Sequence, residues 1–346
     1  MENGHERFDP RELRHCLRHY DLGRMESVRE FTRGSAKAPK VVITTESGKY
    51  LFKRRARGRD DLAKVIFTHR IQQTLAARAF PLPALVPTRE GQTVLVMDGG
   101  VYEMFRYVEG GGYDASTQAT YSAGRTLAAY HSLLVDFRND YRPPTGSYHG
   151  ADSIRQAVRT TVSALPLDRR PAADDVTAMA TWLTESYHFC GQQADETGLP
   201  SWPAQIVHGD WHPGNMLFRD RAVAAVVDYD AARLQQRVID LANGALQFSI
   251  IGGGDDTTVW PDHVDLPRLG RFMAGYAEVT PPSRDELRAV PFLMCEAMIA
   301  EAVLPIAATG SFGRIGGFAF LMMIQRKVGW ILTHITDLDA TMPPPA

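Results

Sequence analysis

Residues 208–218 read HGDWHPGNMLF. Between His208 and Asn215 the chain places two histidines, an aspartate, an asparagine, two glycines and a proline, with apolar residues on either side. Such a density of donors, acceptors and chain-bending residues suits a metal site, a catalytic loop or a polar turn. His208 and His212 have the four-residue spacing of a helical zinc pair. Gly209, Pro213 and Gly214 oppose a helix there, however, and the glutamate of an HExxH zinc helix is missing.

Phosphoryl transfer asks for a different set. It needs a carboxylate to take the proton of the attacking hydroxyl, oxygen ligands for Mg²⁺, and a cation for the phosphates that are not transferred. Asp210 supplies the first. Asn215, five residues on, offers a neutral oxygen, and Asp228, thirteen residues later, offers a charged one after an apolar run. The stretch between, MLFRDRAVAAVV, reads as two short strands with a turn at RDR. Such a hairpin brings Asn215 and Asp228 side by side. Buried strands would then hold a polar loop rigid while it projects into a cleft.

The rest of the chain sets the frame. It has 346 residues, 44% hydrophobic and 23% charged, with a net charge of −2. That length exceeds one compact core and predicts two lobes. The small net charge gives no electrostatic case for a nucleic-acid or membrane partner. Cys16, Cys190 and Cys295 are widely spaced and form no disulfide framework or CxxC pattern, which suits a reducing compartment. The opening MENGHERFDPRELRH is polar, unlike a secretory signal. The most apolar stretch, 302–324, is interrupted by Pro305 and Arg314, so it falls short of the roughly 18 uninterrupted apolar residues of a membrane span. A soluble, cytoplasmic protein is expected. Its basic residues are nearly all arginine; of the six lysines, Lys37, Lys40, Lys49, Lys53 and Lys64 fall within 37–64, and only Lys327 lies elsewhere.

A coarse reading places a short helix at 10–20, then strands at SVREFTRG, KVVITT and YLFKRR, with ESGK as a tight turn between the last two. A helix follows over 60–79, then strands TVLVM and VYEMFRYV. This predicts an α+β fold that begins with a five-stranded antiparallel sheet, one helix being inserted after the third strand. The glycine cluster at 109–113 marks the boundary, giving lobes 1–108 and 109–346. In the second lobe, 116–135, 173–190, 239–250, 266–277, 284–303 and 316–334 read as helices.

HGDWHPGNMLF followed by VVDYD resembles the catalytic loop and metal-binding segment of the aminoglycoside phosphotransferase and choline-kinase-like superfamily, which includes type II homoserine kinases and CotS-like spore-coat proteins. The resemblance continues through YLFKRR, FTHRIQQTLAARAFPLP, MFRYVEG, GRTLAAYHSL and VIDLANG, in that order along most of the chain. It implies a bilobal protein-kinase-like fold with ATP between the lobes and a small-molecule hydroxyl acceptor. Asp210 would be the catalytic base, and Asn215 and Asp228 would hold Mg²⁺. Lys53 would contact the α- and β-phosphates, and residues 34–38, with Ser35, would cover them, although no glycine-rich kinase signature is present. Adenine would bond the hinge backbone at Arg106 and Val108, with Phe105 behind it. His208 would pin the loop backbone, Asp230 would stand in or beside the metal shell, and Asp240 would anchor the loop from a helix start.

One departure bears on the nucleotide. In kinase-like folds the phosphate lysine pairs with a glutamate of the next helix, yet residues 60–79 contain none. His69 falls near that position, with Asp60 and Asp61 a few turns earlier, so His69 is the first candidate partner of Lys53. The departure also leaves open a nucleotide-binding protein without transfer activity, a degenerate kinase or a spore-coat-like structural protein. Acids are scattered in the large lobe, Glu296, Glu301 and GGGDDTTVW (253–260 with a preceding Gly252) among them, without a dense acidic run. A small hydroxylated metabolite is therefore favoured over an aminoglycoside, with 251–262 and 292–314 as candidate acceptor segments.

Overall fold

The computed structural model describes residues 5–165 and 172–346. Residues 1–4 of the expected first lobe lie outside it.

A capped helix, α1 (Pro10–Leu17), opens the fold; Asp9 and Glu12 form a reciprocal capping box at its start. Five strands follow: β1 (Met25–Glu30), β2 (Lys40–Thr45), β3 (Gly48–Arg54), β4 (Val94–Met97) and β5 (Gly100–Arg106). They form one antiparallel sheet in the order β1-β2-β3-β5-β4. The sheet and α1 enclose a small core in which Cys16, Ile43, Phe52 and Met104 are fully buried. Residues 5–9 lie against this sheet: Phe8 stacks on Phe52 at 5.3 Å, and the Glu6 amide donates to the Ala36 carbonyl at 2.8 Å.

Helix α2 (Leu62–Ala76) falls between β3 and β4, as the sequence predicts, and Asp61 caps it. Its apolar side does not stay with the sheet. Phe67, Ile71 and Leu75 are buried in the large core, so this helix ties the first 108 residues to the helical part of the chain.

The large lobe is mostly helical. It contains α3 (Thr117–Leu134), α4 (Asp152–Ala164), α5 (Ala173–Glu196), α6 (Arg237–Ser249), α7 (Leu266–Val279), α8 (Arg284–Thr309), α9 (Gly317–Thr333) and α10 (Ile335–Asp339). Two short antiparallel pairs, β6 (Ala204–Val207) with β9 (Arg233–Gln236) and β7 (Met216–Arg219) with β8 (Ala222–Val226), stand among them. A third pair, β10 (Ser311–Phe312) with β11 (Ile315–Gly316), joins α8 to α9. Helix α8 is long and apolar enough to cross a membrane by length and composition, yet 78% of that stretch is buried in the fold. It packs on α4, α5, α6 and α9, which makes it the axis of the core. Helix α4, absent from the sequence reading, buries Ile154, Ala157, Val158 and Thr161, one face of the helix.

Candidate active site

Strands β6 and β7 hang the loop 208–215 between them, and its backbone is fixed from three sides. Gly209 has φ +76°, and a Cβ there would lie 2.5 Å from the Ala231 carbonyl, so only glycine fits. Asp240, in the first turn of α6, accepts from the amides of His208 and Gly209, both at 3.0 Å. The same carboxylate takes His131 Nε2 at 3.1 Å, and His131 in turn meets the Tyr276 hydroxyl at 2.8 Å. The His208 ring, expected to pin this backbone, is fully buried against Tyr130, Trp211 and Tyr229, with the Val227 backbone beside it. Burial pushes its pKa down, so it acts as a neutral packing side chain.

The hairpin β7–β8 pairs Met216 with Val226. The Val227 amide donates to the Asn215 carbonyl at 2.9 Å. Asn215 and Asp228 therefore flank one backbone contact. Asn215 Nδ2 donates to the Asp210 carbonyl at 3.0 Å and to its carboxylate at 2.9 Å. This leaves the amide oxygen of Asn215 without a protein donor among the described residues. Asp228 is exposed and has φ +63°, a left-handed conformation that costs about 1–3 kcal/mol and clusters at functional sites. Asp228 Oδ1 accepts from the Asp230 amide at 3.4 Å; the carboxylate and the Asn215 amide oxygen are together the ligand chemistry of a hard cation such as Mg²⁺.

Asp210 is itself partly covered. Burial pushes its carboxyl up, but His212 and Asn215 outweigh this and hold it below the usual range. His212 Nε2 stands 3.5 Å from Asp210 Oδ2, and that contact raises the histidine's pKa. His212 Nδ1 accepts from the Gly214 amide at 3.0 Å.

Lys53 lies across from this loop, and its partner is a glutamate, though not from the helix. Lys53 Nζ is 3.4 Å from Glu103 Oε2, the residue directly opposite it on β5. His69, expected to meet Lys53, binds Glu103 Oε1 instead, at 2.8 Å, and Thr93 on its other side at 2.9 Å. Asp60 and Asp61 are occupied by the amides of Gly58 and Lys64. Burial would raise the Glu103 carboxyl, yet Lys53, His69 and Arg55 hold it well below the usual range. Arg55 also reaches Asp230, with bonds of 3.1 and 2.9 Å. Lys40 pairs in register with Lys53, and its Nζ is held by the Arg33 carbonyl at 3.0 Å. Burial and then Lys53 lower its pKa, while Asp228 draws it the other way.

In the hinge, the Arg106 amide donates to the Ala84 carbonyl at 2.8 Å, so a base at Arg106 would meet its carbonyl. The Val108 amide carries no such bond among the described residues. Phe105 is half-buried between Leu51 and Leu85. Ser35 is exposed in the loop between β1 and β2, and its hydroxyl accepts from the Lys37 amide at 3.3 Å.

Gln247 of α6 donates to Glu301 of α8 at 2.6 Å. Glu301 is exposed at its surface yet crowded by protein. Burial, with Asp210 adding repulsion, pushes its carboxyl up to about 7. Of the other acids noted in the sequence, Glu296 is buried against His149 at 2.7 Å, and Asp256 caps its own turn at Thr258. The sequence reading missed Glu103, Arg55, Lys40 and Gln247 as site residues. Glu103 did leave a signal, an acid inside the apolar strand VYEMF.

A family model described as "Phosphotransferase enzyme family" matches residues 27–289. The homoserine kinase of Xanthobacter autotrophicus is 26% identical over 298 residues, covering 82% of this chain and 81% of that protein. The fold is similar to that of a microcompartment-associated aminopropanol kinase, with a TM-score of 0.68 at 14% identity over 96% of this chain and 99% of the other. It is also similar to an amicoumacin kinase solved in complex with AMP-PNP, Ca²⁺ and Ami, with a TM-score of 0.65 at 13% identity over 97% and 96% of the two chains.

Proposed function

The chain belongs to the phosphotransferase enzyme family, and on that premise we propose that it is an ATP- and Mg²⁺-dependent kinase of a small hydroxylated metabolite. The observation that carries this reading is the loop geometry. Asp210 is held ionised beside Asn215, whose backbone carbonyl is bonded by Val227, the residue before Asp228.

Each side chain then has a task. Asp210 orients the acceptor hydroxyl and takes its proton as the new O–P bond forms and the bond to the β-phosphate oxygen breaks, leaving ADP. Asn215 and Asp228 hold Mg²⁺, which when bound neutralises phosphate charge. Lys53, ordered by Glu103, holds the α- and β-phosphates, and the pair favours transfer over a binding-only role. The amide of Val108 is the hinge donor for adenine. The boundary at 108/109 then separates a nucleotide-binding lobe from a catalytic and acceptor-binding lobe. The three cysteines are free and buried, in keeping with a cytoplasmic site of action.

For the acceptor, the curated relatives are named homoserine kinases. Glu301 beside Asp210 adds an acidic wall. Both observations favour an amine-bearing alcohol of metabolite size. The test is ATP turnover with Mg²⁺ across homoserine and other amino alcohols, sugars and aminoglycosides. Turnover with one small amino alcohol far above the rest is expected. No acceptor-dependent turnover anywhere in the panel would defeat the proposal.

A further inference from the structure

Arg55 is the first residue after β3, and its guanidinium is only 6% exposed. Four hydrogen bonds and one ion contact converge on it. Its Nη2 donates to Glu103 Oε1 at 3.0 Å, and its Nε lies 2.9 Å from Glu103 Oε2. Its Nη1 and Nη2 take both oxygens of Asp230, and Nη1 also meets the Arg59 carbonyl at 3.0 Å. Two carboxylates from opposite sides of the cleft thus share one planar fork, an arrangement a lysine cannot reproduce.

The two carboxylates are placed tellingly. Glu103 orders Lys53. Asp230 ends the turn that begins at Asp228, and Tyr229 between them is buried against Tyr130 and His208. The turn is held at its start by the Val227–Asn215 bond and at its end by Arg55. Both Asp230 oxygens face Arg55, so Asp230 is an anchor and not a metal ligand. Lys53 is more exposed than Arg55, 24% against 6%. If Lys53 swings toward a phosphate, Arg55 and His69 still compensate the buried Glu103, which would otherwise be left as an unpaired buried charge.

Resting on the kinase reading above, we propose that Arg55 is a positioning residue that latches the Asp228–Asp230 turn to Glu103, so that the phosphate lysine and the metal turn meet the nucleotide as one preset unit. Residues that orient a metal ligand from behind typically change metal affinity about 10- to 100-fold when lost.

The experiment is a double-mutant cycle on the full chain with Arg55→Gln, Asp230→Asn and their combination. Calorimetry would measure ATP binding with Mg²⁺ and with EDTA, beside the melting temperature of each ligand-free protein. The latch predicts that either single variant weakens Mg·ATP about tenfold or more and metal-free ATP much less. It also predicts that the double variant is no worse than the worse single. Losses that multiply in the double variant would make Asp230 an independent ligand and end the proposal. Equal losses with and without Mg²⁺ would reduce Arg55 to a fold-stabilising residue, and parent-like binding by both singles would remove its role altogether. A parent that binds no Mg·ATP would overturn the kinase reading itself and the latch with it. Should Arg55→Gln not fold, Arg55→Lys keeps the charge without the fork and takes its place in the cycle.

Discussion

Lys53 and Glu103 stand directly opposite one another in the β3–β5 ladder, with ammonium and carboxylate 3.4 Å apart. A neighbouring strand thus supplies the carboxylate that helix α2 lacks, and His69 of that helix braces it. The substitution keeps the charge pattern while moving its covalent origin, because cross-strand pairs on one face lie within reach of each other.

Replacing Lys53 by Met should therefore raise the KM for ATP strongly, since no other group has the same place opposite Glu103. His69→Ala should cost less, because Lys53 and Arg55 remain on Glu103. Glu103→Ala should be the most damaging to the fold, with a loss of about 3–5 kcal/mol, because it leaves the buried Arg55 half-compensated. Urea denaturation and ATP kinetics on the three variants would check the order; a harmless Glu103→Ala contradicts it.

How much of this was legible in the sequence follows from what kind of pattern each residue belongs to. Asp210, Asn215 and Asp228 stand in one contiguous motif, with a hairpin whose turn residues show plainly, so their proximity could be read from spacing. Strands β1 to β5 and helix α2 likewise announce themselves by turn residues and period. Arg55, Glu103 and Asp230 belong to no motif. Their meeting depends on strand register and on the relative placement of two lobes 175 residues apart in sequence for Arg55 and Asp230, which local pattern does not encode. Gln247 and Glu301 meet across two helices for the same reason. The aromatic cage of Tyr130, Trp211 and Tyr229 around the His208 ring was not legible because it forms only in three dimensions.

Asp228 gives a prediction with opposite signs for stability and binding. Its φ of +63° is one that glycine adopts freely. Asp228→Gly should make the ligand-free protein more stable by up to about 1 kcal/mol by relieving that strain, while abolishing the Mg²⁺-dependent part of stabilisation by ATP. Melting curves with and without Mg·ATP would show both. A variant that responds to Mg·ATP as the parent does would remove Asp228 from the metal site.

Glu301 gives a pH prediction. Its carboxyl is raised to about 7, against about 4.3 in an unfolded chain. Between those values the native state keeps a proton that the unfolded chain has released, so stability falls as pH rises through this window. Glu301→Gln removes that slope, and its melting temperature should gain on the parent from pH 5 to pH 8. The acceptor KM of the parent should also change near pH 7 while the ATP KM does not, since Glu301 acts on Asp210, which meets the acceptor hydroxyl in the proposed reaction. Parallel stability curves for the two proteins would show that Glu301 does not titrate in this range.

Asp210 carries the sharpest prediction, because it separates an enzyme from a binder. Its carboxyl is kept ionised by His212 and Asn215, ready to receive a proton. Asp210→Asn keeps its size and much of its hydrogen bonding but removes the charge and the basicity. Positioning and electrostatics dominate phosphoryl transfer, so the loss should fall on the transition state. Turnover should drop roughly 10²- to 10⁴-fold, the usual span for a general base, with ATP affinity nearly unchanged. The check is paired: ATP binding by calorimetry and acceptor phosphorylation by product formation, for parent and variant alike. Phosphorylation near the parent's rate would mean that the proton goes elsewhere, with His212, 3.5 Å from the same carboxylate, the next group to replace.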